Sequence, residues 1–420
     1  MSINFRFIIP FLVFILLDIY AFQTFRVVTK PYSPQWRQFL FITYWSLSAI
    51  AYLIGIGMIT NLISEKQHLI TVYGRTLIMI LFVTKLMSIP FLLIDDIRRL
   101  LLAVLNFFMV EKNFDTGRSR FLTTVGLAMG AAPFALLTYG ALRNPYRYRL
   151  RRSKVYIEGL PEGLEGFKIV QISDIHSGSF VFKEPLLNGV KMINEEKADL
   201  VVFTGDIVNY KADEMDGLYE YFNQIKAGSA GPVYSILGNH DYGNYYRWKS
   251  KKEQDDNFQA VKDIHKKLNW SLLLNEHRIV EHDGAKIGLI GVENFSALPQ
   301  FPKYGDLKKS VEGMPATDIR ILLSHDPTHW DFEVNKEFQD IQLMLAGHTH
   351  GFQFGVEIPG WFKWSPSQMV FKQWAGLYQK GKQYLYVNRG FGFFGYAGRV
   401  GILPEITSLT LTGKVENENK

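Results

Sequence analysis

Apolar residues form long uninterrupted runs in the first third of the chain and short runs in the remainder. Four of the long runs have about 20 residues, the length that a helix needs to cross a hydrocarbon core ~30 Å thick. They cover Phe5–Phe25, Phe39–Leu62, Thr76–Ile94 and Phe121–Leu142. We therefore predict an α-helical membrane region with about four spans in residues 1–145. Because several spans follow the first, we expect a retained helix and not a removable signal peptide.

A fifth apolar run, Leu100–Val110, is shorter and follows the charged stretch Asp95–Arg99. Charges at one end of a short apolar segment are typical of a helix that lies in the membrane interface. We predict an interfacial helix here, and a fifth span is the alternative.

Two ionisable residues interrupt the apolar runs, Asp18 in the first span and Lys85 in the third. Those two spans run in the same direction and both residues fall near mid-depth. A charge in lipid usually needs a partner. One hypothesis is that Asp18 and Lys85 pair and lock the bundle, and the alternative is that each faces polar neighbours or water separately.

From about Lys154 the pattern changes to short β-rich runs, each followed by a loop of Gly, Asp, Asn and His. Five such units read FKIVQI-SDIHSG, ADLVVFT-GDIVN, PVYSIL-GNHDYG, DIRILL-SHDP and DIQLML-AGHTHG. Helical periodicity appears between the first three, in Glu184–Lys197 and Asp213–Lys226. An α/β layered fold brings the carboxyl ends of such strands together at one edge, where functional sites form.

Eight side chains of metal-binding or acid-base chemistry fall in these loops: Asp174, His176, Asp206, Asn239, His240, His325, His348 and His350. A site with two metals about 3.5 to 4 Å apart needs several imidazoles, an amide oxygen and a carboxylate able to bridge. Each residue alone also fits a turn, a loop or the end of a strand. Their joint occurrence after five predicted strands favours a dinuclear metal site.

Composition narrows the chemistry further. The chain has no cysteine, so disulfides, thiolate metal ligands and cysteine nucleophiles are excluded. Its net charge of +6 suits a protein beside anionic lipid headgroups and would also suit a weak nucleic-acid binder. No long basic tract or nucleic-acid module is visible, so no nucleic-acid partner is expected.

The ordered motifs D-x-H, G-D, G-N-H-D, a later lone H, and G-H-x-H resemble those of the calcineurin-like metallophosphoesterases over about Val155–Leu411. The flanking stretches LPEGLEGFKIVQISDIH and NRGFGFFGYAGRVGILPEI resemble the membrane-anchored bacterial branch of that family. The resemblance implies a C-terminal α/β metallophosphoesterase domain over residues 146–420, built as two packed β-sheets flanked by helices.

The same resemblance implies a role for each motif residue. One metal would be held by Asp174, His176 and His350, the other by Asn239, His325 and His348, with Asp206 bridging the two. His240 would bind no metal and would act as the catalytic residue beside the scissile phosphate. The expected cofactors are two divalent metal ions, with Mn preferred and Fe or Zn as alternatives.

Three further residues carry expectations. Many relatives have an aspartate where this chain has Asn209, and such a carboxylate could orient His240. We expect Asp241 to substitute for it. Arg399 matches an arginine of the bacterial branch and is expected to bind the substrate phosphate, with a structural salt bridge as the alternative.

Two segments near the motifs bear on the substrate. Tyr242–Asp256 is aromatic and basic and has the length of a lid, or is a solvated charged loop. Ile358–Trp374 holds five aromatic rings, which suits a membrane interface, an acyl-binding groove, or a loop that covers a sheet edge.

Together these features predict a membrane-anchored dinuclear-metal phosphoesterase acting on a phosphodiester or pyrophosphate bond of a lipid-linked or nucleotide-linked substrate. The alternatives are a phosphatase acting on soluble nucleotides or phosphoproteins, and a non-catalytic membrane sensor. We expect a multi-pass protein of a bacterial inner or plasma membrane. The stretch GRSRFL at Gly117–Leu122 resembles a degenerate twin-arginine signal and favours an extracytoplasmic catalytic domain.

Overall fold

The computed structural model of the protein describes residues 5–60, 62–63, 68–109, 114–358 and 360–414. The chain forms two compact units. The first comprises Met1–Leu142 together with Gly395–Ala397, and the second comprises Arg143–Phe394 together with Gly398–Lys420.

The first unit is built from helices. These are α1 (Phe5–Val28), α2 (Pro34–Ile59), α3 (His68–Phe108) and α4 (Arg120–Arg143). All four are long and apolar enough to cross a membrane, which confirms the four predicted spans.

The prediction of a separate interfacial helix at Leu100–Val110 is wrong, because α3 continues unbroken through Phe108. Its 41 residues correspond to about 60 Å, roughly twice the thickness of a hydrocarbon core. The charged stretch does not end the helix because Asp95 has local partners. It pairs with Arg98 at 2.9 Å and Arg118 at 3.5 Å, and it accepts the backbone N–H of Ser119 at 3.1 Å.

Two glycines allow α4 to approach α3 closely. A Cβ atom on Gly130 would lie 2.9 Å from the carbonyl oxygen of Thr84, and one on Gly126 would lie 3.4 Å from that of Ser88. The two glycines are four residues apart and therefore share one helix face. Small residues at this spacing are a common way of packing helices in membranes.

Asp18 and Lys85 form an ion pair in the first unit, so the predicted pairing is confirmed. Their side chains are 0% and 4% exposed. The carboxylate also accepts the hydroxyl of Tyr52, and the Lys85 ammonium donates to Ser48 Oγ at 3.0 Å. The Tyr44 hydroxyl adds a bond to the Asp18 carbonyl oxygen at 2.9 Å. Both charges are therefore compensated inside the bundle.

The second unit contains all the strands. They are β1 (Arg149–Tyr156), β2 (Lys168–Ile172), β3 (Leu200–Thr204), β4 (Tyr234–Ile236), β5 (Ser271–Leu272), β6 (Glu276–His282), β7 (Ala285–Gly291), β8 (Ile319–Leu323), β9 (Leu343–Ala346), β10 (Val356–Ile358), β11 (Phe362–Trp364), β12 (Gly376–Lys380), β13 (Gln383–Val387) and β14 (Glu405–Thr412). Two six-stranded mixed sheets result, with orders β1-β14-β2-β3-β4-β5 and β12-β13-β9-β8-β7-β6, while β10 and β11 form a separate hairpin. This confirms the predicted fold class.

The helices of the second unit are short apart from one. They are α5 (Leu186–Glu195), α6 (Tyr219–Phe222), α7 (Lys251–Lys267), α8 (Leu307–Val311) and α9 (Asn335–Glu337), with 3₁₀ turns at Glu162–Leu164, Ser177–Ser179, Ala212–Met215, Asn239–Tyr242, His350–Gln353 and Pro366–Met369 and a π turn at Trp330–Val334. The predicted helix Asp213–Lys226 is broken because Gly217 has a φ of 74°. The predicted lid is partly helical, since Ser250 caps α7 by accepting the N–H of Glu253.

The core lies between the two sheets. Val202 of β3 belongs to the same buried cluster as Leu289 of β7, Ile321 of β8 and Leu345 of β9. The next residue along β8, Leu322, packs in a second cluster on the other face of its sheet. The central strands are thus buried on both faces, which explains their continuous apolar runs. Each such side chain contributes about 1.5 to 3 kcal/mol through burial.

Parallel pairing places the motif loops together. In the first sheet β2, β3 and β4 run parallel, and in the second sheet β7, β8 and β9 run parallel. The loops that follow parallel neighbours leave from the same edge of a sheet. The five predicted strand-loop units correspond to β2, β3, β4, β8 and β9, so both sheets supply them.

Candidate metal centre

The seven predicted ligand side chains follow strands of both sheets, and six of them gather into two groups. Each lies within four residues of the end of its strand: Asp174 and His176 after β2, Asp206 after β3, Asn239 after β4, His325 after β8, and His348 and His350 after β9. Six of the seven residues are buried. His348 is partly buried as a whole residue, but its side chain is only 6% exposed. Four other histidines of this unit belong to neither group: His265, His277, His282 and His329.

The ligand side chains form two groups. Asp174, His176 and His350 offer one atom each within 4.8 Å of one another. Asp206, His325 and His348 do the same. The two histidines of the G-H-x-H motif therefore fall in different groups.

Asp206, a member of the second group, also approaches the first. Its Oδ2 is 3.5 Å from Nε2 of His176 in one group and 3.1 Å from Nε2 of His325 in the other. A carboxylate in this position has the geometry that a bridging ligand needs.

Unpartnered atoms in the cluster test whether cations fit. Asn239 Oδ1, His325 Nε2 and His350 Nε2 are buried, and none has a hydrogen-bond partner among the described residues. Buried polar atoms are normally hydrogen-bonded, so converging lone pairs without a donor are the expected signature of a cation site. Imidazole, carboxylate and amide oxygen suit Mn, Fe or Zn. The residues therefore fit divalent metal ions.

Hydrogen bonds behind two of the imidazoles fix their orientation. Nδ1 of His176 faces Oδ1 of Asn209 at 3.0 Å, and Nδ1 of His325 faces the carbonyl oxygen of Thr204 at 2.7 Å. Each Nδ1–H donates to an oxygen, so Nε2 is the atom that each ring offers to a metal.

The charges of the cluster are strongly coupled. Burial raises the pKa of Asp174, but His350 and His325 outweigh burial, so its pKa lies below the usual range. Burial lowers the pKa of His176 and of His348, which keeps both imidazoles in the neutral form that binds metals. Burial also lowers the pKa of His325, but Asp206 and Asp174 outweigh it and raise the pKa to about 10. A cation must therefore displace a proton at His325, and binding should strengthen as the pH rises.

Five ligand residues have left-handed backbone conformations. Their φ angles are 53° for Asp174, 49° for His176, 60° for Asp206, 72° for His348 and 49° for His350. This conformation costs a non-glycine residue about 1 to 2 kcal/mol, so it is kept only where the surroundings impose it.

Two glycines make room for the carboxylates. A Cβ atom on Gly347 would overlap the carboxylate of Asp174, and one on Gly238 would overlap that of Asp206. The glycines of the G-H-x-H and G-N-H-D motifs are thus required by close approach to ligands.

His240 lies beside the cluster but belongs to neither group. Its Nδ1–H donates to the carbonyl oxygen of Asn209 at 2.8 Å, and its backbone N–H donates to Asp206 Oδ1 at 2.8 Å. The rings of Phe394 and Tyr245 pack at 4.5 and 4.7 Å from the imidazole. Burial lowers the pKa of His240, although Asp206 opposes this, so the imidazole is neutral near pH 7.

The prediction that Asp241 orients the His240 ring is wrong. Its buried carboxylate accepts the backbone N–H groups of Gly238 at 2.8 Å, Asp206 and Ile207 at 2.9 Å, and Val208 at 3.3 Å. Both oxygens are used in shaping the loop after β3, and the ring of His240 is held by a main-chain carbonyl.

The side chain of Asn209 serves a different histidine from the one predicted. Its Oδ1 faces His176, and its amide nitrogen donates to Ser179 Oγ at 3.1 Å. Only its main-chain oxygen meets His240. Asn209 thereby connects a candidate ligand with the candidate catalytic residue.

The structure does not support a phosphate contact for Arg399. Its side chain is 0% exposed, and the guanidinium donates to the carbonyl oxygens of Arg389 at 2.7 Å, Gly390 at 3.1 Å and Gly392. Its Nη2 also lies 3.2 Å from Nδ1 of His350. A fully buried guanidinium with these partners holds the loop after β13 against the cluster.

Three residues at the site were not found by sequence reasoning. Glu214 accepts the backbone N–H groups of Gly178, Tyr210 and Lys211 at 2.9 to 3.1 Å, and so ties together two loops of the cluster. The Tyr245 hydroxyl accepts a bond from the amide of Asn239 at 3.0 Å. Neither residue carries a motif, and only the fold reveals its role.

Asp326 is the third. Its Oδ2 lies 3.6 Å from Nε2 of His348, is buried, and has no hydrogen-bond partner among the described residues. Its position directly after the lone histidine was a signal that sequence reasoning could have used.

Comparisons with known proteins agree with this geometry. Residues 5–145 match the family described as "Probable Calcineurin-like phosphoesterase, transmembrane domain", and residues 167–352 match "Calcineurin-like phosphoesterase". The chain is 29% identical over 280 residues to the "Uncharacterized metallophosphoesterase YkuE" of Bacillus subtilis, covering 65% of this chain and 88% of that protein.

Two further relatives come from distant organisms. The "Transmembrane protein with metallophosphoesterase domain" of Danio rerio is 29% identical over 283 residues, which cover 66% of this chain and 60% of the fish protein. The "Uncharacterized metallophosphoesterase Cj0846" of Campylobacter jejuni is 27% identical over 284 residues, covering 66% of this chain and 67% of that protein.

Proposed function

We propose that this chain, which matches calcineurin-like phosphoesterase families over residues 5–145 and 167–352, is a membrane-anchored dinuclear enzyme that hydrolyses a phosphodiester or pyrophosphate bond. The observation that carries the proposal is the position of Asp206, which belongs to one three-residue group and whose Oδ2 also lies 3.5 Å from Nε2 of His176 in the other. A phosphoester hydrolase of this kind needs a pair of cations at a fixed short separation.

The residues divide the work as follows. One cation would be held by Asp174, His176 and His350. The other would be held by Asn239, His325 and His348, and Asp206 would serve both. When bound, the two cations provide Lewis acidity towards phosphoryl oxygens and make water nucleophilic at neutral pH. Mn is the first choice, and Fe or Zn suits the same ligands.

His240 is proposed to meet the phosphate. Its Nδ1–H is engaged by the Asn209 carbonyl oxygen, which leaves Nε2 as the atom for the substrate. In the neutral imidazole Nε2 accepts a proton, and in the protonated imidazole it donates one to the leaving oxygen. An anionic phosphate beside the ring favours the protonated form and so opposes the lowering of its pKa by burial.

The substrate class is proposed from location. Four membrane-crossing helices keep the enzyme at a bilayer, which favours an amphiphilic substrate such as a lipid-linked or nucleotide-linked diphosphate. A phosphatase for soluble nucleotides or phosphoproteins is the alternative within enzymes. A non-catalytic sensor is disfavoured because all seven ligand side chains are present, whereas degenerate domains lose ligands.

Hydrolysis by the full chain in detergent tests the enzyme proposal. With Mn²⁺, the protein should hydrolyse bis(p-nitrophenyl) phosphate, and Asp206→Asn should reduce the rate by about 100-fold or more. His282→Ala is the matched control, since that histidine lies outside both groups. A protein that binds two metals and hydrolyses neither a phosphomonoester nor a phosphodiester would refute the proposal.

Metal analysis tests the ligand assignment separately. His348→Ala and His350→Ala should each leave about one metal per chain, because the two histidines belong to different groups. Loss of both metals from His350→Ala alone would contradict the assignment. Parallel assays with lipid-linked and water-soluble diphosphates would then separate the two substrate classes.

A further inference from the structure

We propose that the β10–β11 hairpin is a membrane-contacting element whose exposed apolar face inserts into the interface of a lipid bilayer. The hairpin pairs Val356–Ile358 with Phe362–Trp364 in the second unit. The proposal does not depend on the catalytic activity.

The register of the hairpin separates its side chains cleanly by face. Val356 is paired with Trp364 and Ile358 with Phe362, so these four apolar side chains share one face. They are 37% to 48% exposed, and Trp361 at the turn is 82% exposed. The short 3₁₀ turn that follows adds Met369 and Val370, at 84% and 46%. A contiguous apolar surface of this kind marks an interaction site.

The opposite face is polar, and its side chains bind neighbouring residues of the second unit. Glu357 binds Arg151 at 2.5 Å and Arg389 at 2.7 Å, and its side chain is only 11% exposed. Lys363, its partner in the register, donates to the carbonyl oxygen of Ala375 at 2.6 Å and to the Tyr378 hydroxyl at 3.2 Å. An antiparallel pair on the surface of a soluble protein turns its apolar face to the core. In this hairpin the polar face contacts the rest of the unit and the apolar face is exposed, so the orientation is inverted.

Ion pairs hold the hairpin in this inverted orientation. Arg389 is 2% exposed and also binds the buried Glu405 of β14, so Glu357 is attached to the first sheet through a buried arginine. The adjacent aromatic residues Phe371 and Trp374 are 4% and 3% exposed and pack in a small core with Ile402. The segment thus buries some of its rings and presents the others outward.

A bilayer is the occupant that these features favour. The same chain carries four helices able to cross a membrane, so the unit that bears the hairpin is tethered to lipid. Tryptophan and phenylalanine at the tip of an element are typical of residues that anchor proteins at headgroup level. The hairpin would add a contact with lipid that the spanning helices do not make.

The absence of cysteine from the chain gives a direct test, because one introduced thiol carries one label. In Trp361→Cys, a fluorophore at position 361 should be quenched strongly by lipids brominated on their acyl chains when the full protein is reconstituted in nanodiscs. The control is Lys251→Cys, whose native side chain is 75% exposed. Lys251 begins α7, which packs on β5 at one edge of the first sheet. The hairpin is bound to the opposite edge, where Arg151 of β1 pairs with Glu357.

The expected result is at least twofold quenching at position 361 and little or none at position 251. A label at Met369→Cys should also be quenched. Adding Ile358→Glu and Phe362→Glu to that variant should abolish the quenching. The same variant should keep its activity on a soluble ester. Equal quenching at positions 361 and 251, or no quenching at 361, would overturn the proposal. Efficient disulfide cross-linking between the thiols of two Trp361→Cys chains would overturn it in favour of a second copy as the occupant.

Discussion

Asp326 is the buried carboxylate whose Oδ2 faces His348 without a hydrogen-bond donor among the described residues. A carboxylate beside a ligand imidazole either joins the coordination or orients the ring. We predict that Asp326→Asn weakens binding of the metal at the group that contains His348 by about 10- to 100-fold. The metal at the group that contains His350 should stay in place. A Mn²⁺ titration followed by EPR measures this, since an uncoupled single-ion signal should appear.

Asp283→Asn is the matched control, because the side chain of Asp283 is 80% exposed. Unchanged affinities for both metals in Asp326→Asn would show that Asp326 contributes only to packing.

Glu214 gives a pH prediction. Burial raises its pKa from 4.5 to about 7, even though backbone N–H groups of Asn209 and Lys211 lower it. Between about pH 4.5 and pH 7 an unfolded chain has this group ionised, while the folded protein keeps the proton. Unfolding then releases a proton, so stability should fall as the pH rises through this window, by on the order of 3 kcal/mol.

Thermal unfolding at pH 5 and pH 7.5 measures the effect. Asp241, with its pKa also raised to about 7, acts in the same direction, so the comparison with Glu214→Gln isolates Glu214. The fall in stability between pH 5 and pH 7.5 should be smaller in Glu214→Gln than in the wild type. It should be unchanged in Glu281→Gln, whose native side chain is 69% exposed. A slope in Glu214→Gln equal to that of the wild type would contradict the assignment.

At the scale of residues, the sequence predicted which side chains gather but not what each one touches. The gathering of the candidate ligands could be predicted because polar residues after buried parallel strands meet at a sheet edge. The role given to Asp241 was wrong and that given to Arg399 is not supported, because backbone groups outside the motifs bind both side chains. Backbone N–H groups of the loop after β3 bind the Asp241 carboxylate, and carbonyl oxygens of its own loop, after β13, bind the Arg399 guanidinium.

The ion pair between α1 and α3 gives a prediction at the scale of elements. Removing one partner leaves a buried charge, whereas removing both does not. Asp18→Asn and Lys85→Met should each lower the stability of the detergent-solubilised protein by about 3 to 5 kcal/mol, and the double variant should be more stable than either. Thermal unfolding of the three variants measures the coupling.

Arg26→Met, which removes an exposed charge from the same helix as Asp18, should have little effect. If the stability losses of the two single variants simply add in the double variant, the two charges are stabilised separately.

Two elements show where pattern reasoning stops. The charged stretch at Asp95–Arg99 suggested a helix boundary, but its charges find partners within α3 and in the segment before α4, so the helix continues. The aromatic segment Ile358–Trp374 left three interpretations open, and the structure divides it between a buried cluster and an exposed hairpin face. Composition cannot assign individual rings, because strand register decides which side each one faces.

At the scale of the whole second unit, the candidate metal centre is built from loops of both sheets. Asp206 follows a strand of the first sheet and His325 follows a strand of the second. Metal binding should therefore stabilise the packing of the sheets, by about 2.7 kcal/mol per site when free Mn²⁺ is 100 times its dissociation constant. We predict that Mn²⁺ raises the melting temperature of this unit by several degrees and that chelation reverses the rise.

The double variant His348→Ala/His350→Ala should melt at one temperature with or without Mn²⁺, because it has lost a ligand from each group. A Mn²⁺-dependent rise of wild-type size in that variant would show that the metal acts elsewhere.

The position of β14 has a consequence for biosynthesis. This strand lies between β1 and β2 in the first sheet, and Ser408 pairs with Val170, 238 positions earlier in the chain. A ribosome adding 5 to 20 residues per second needs on the order of tens of seconds to travel that distance. Throughout that interval the nascent chain, already inserted by its helices, exposes the unpaired edges of β1 and β2. We expect this interval to be the period in which the protein most needs a chaperone, and the active centre to assemble only after β14 has emerged.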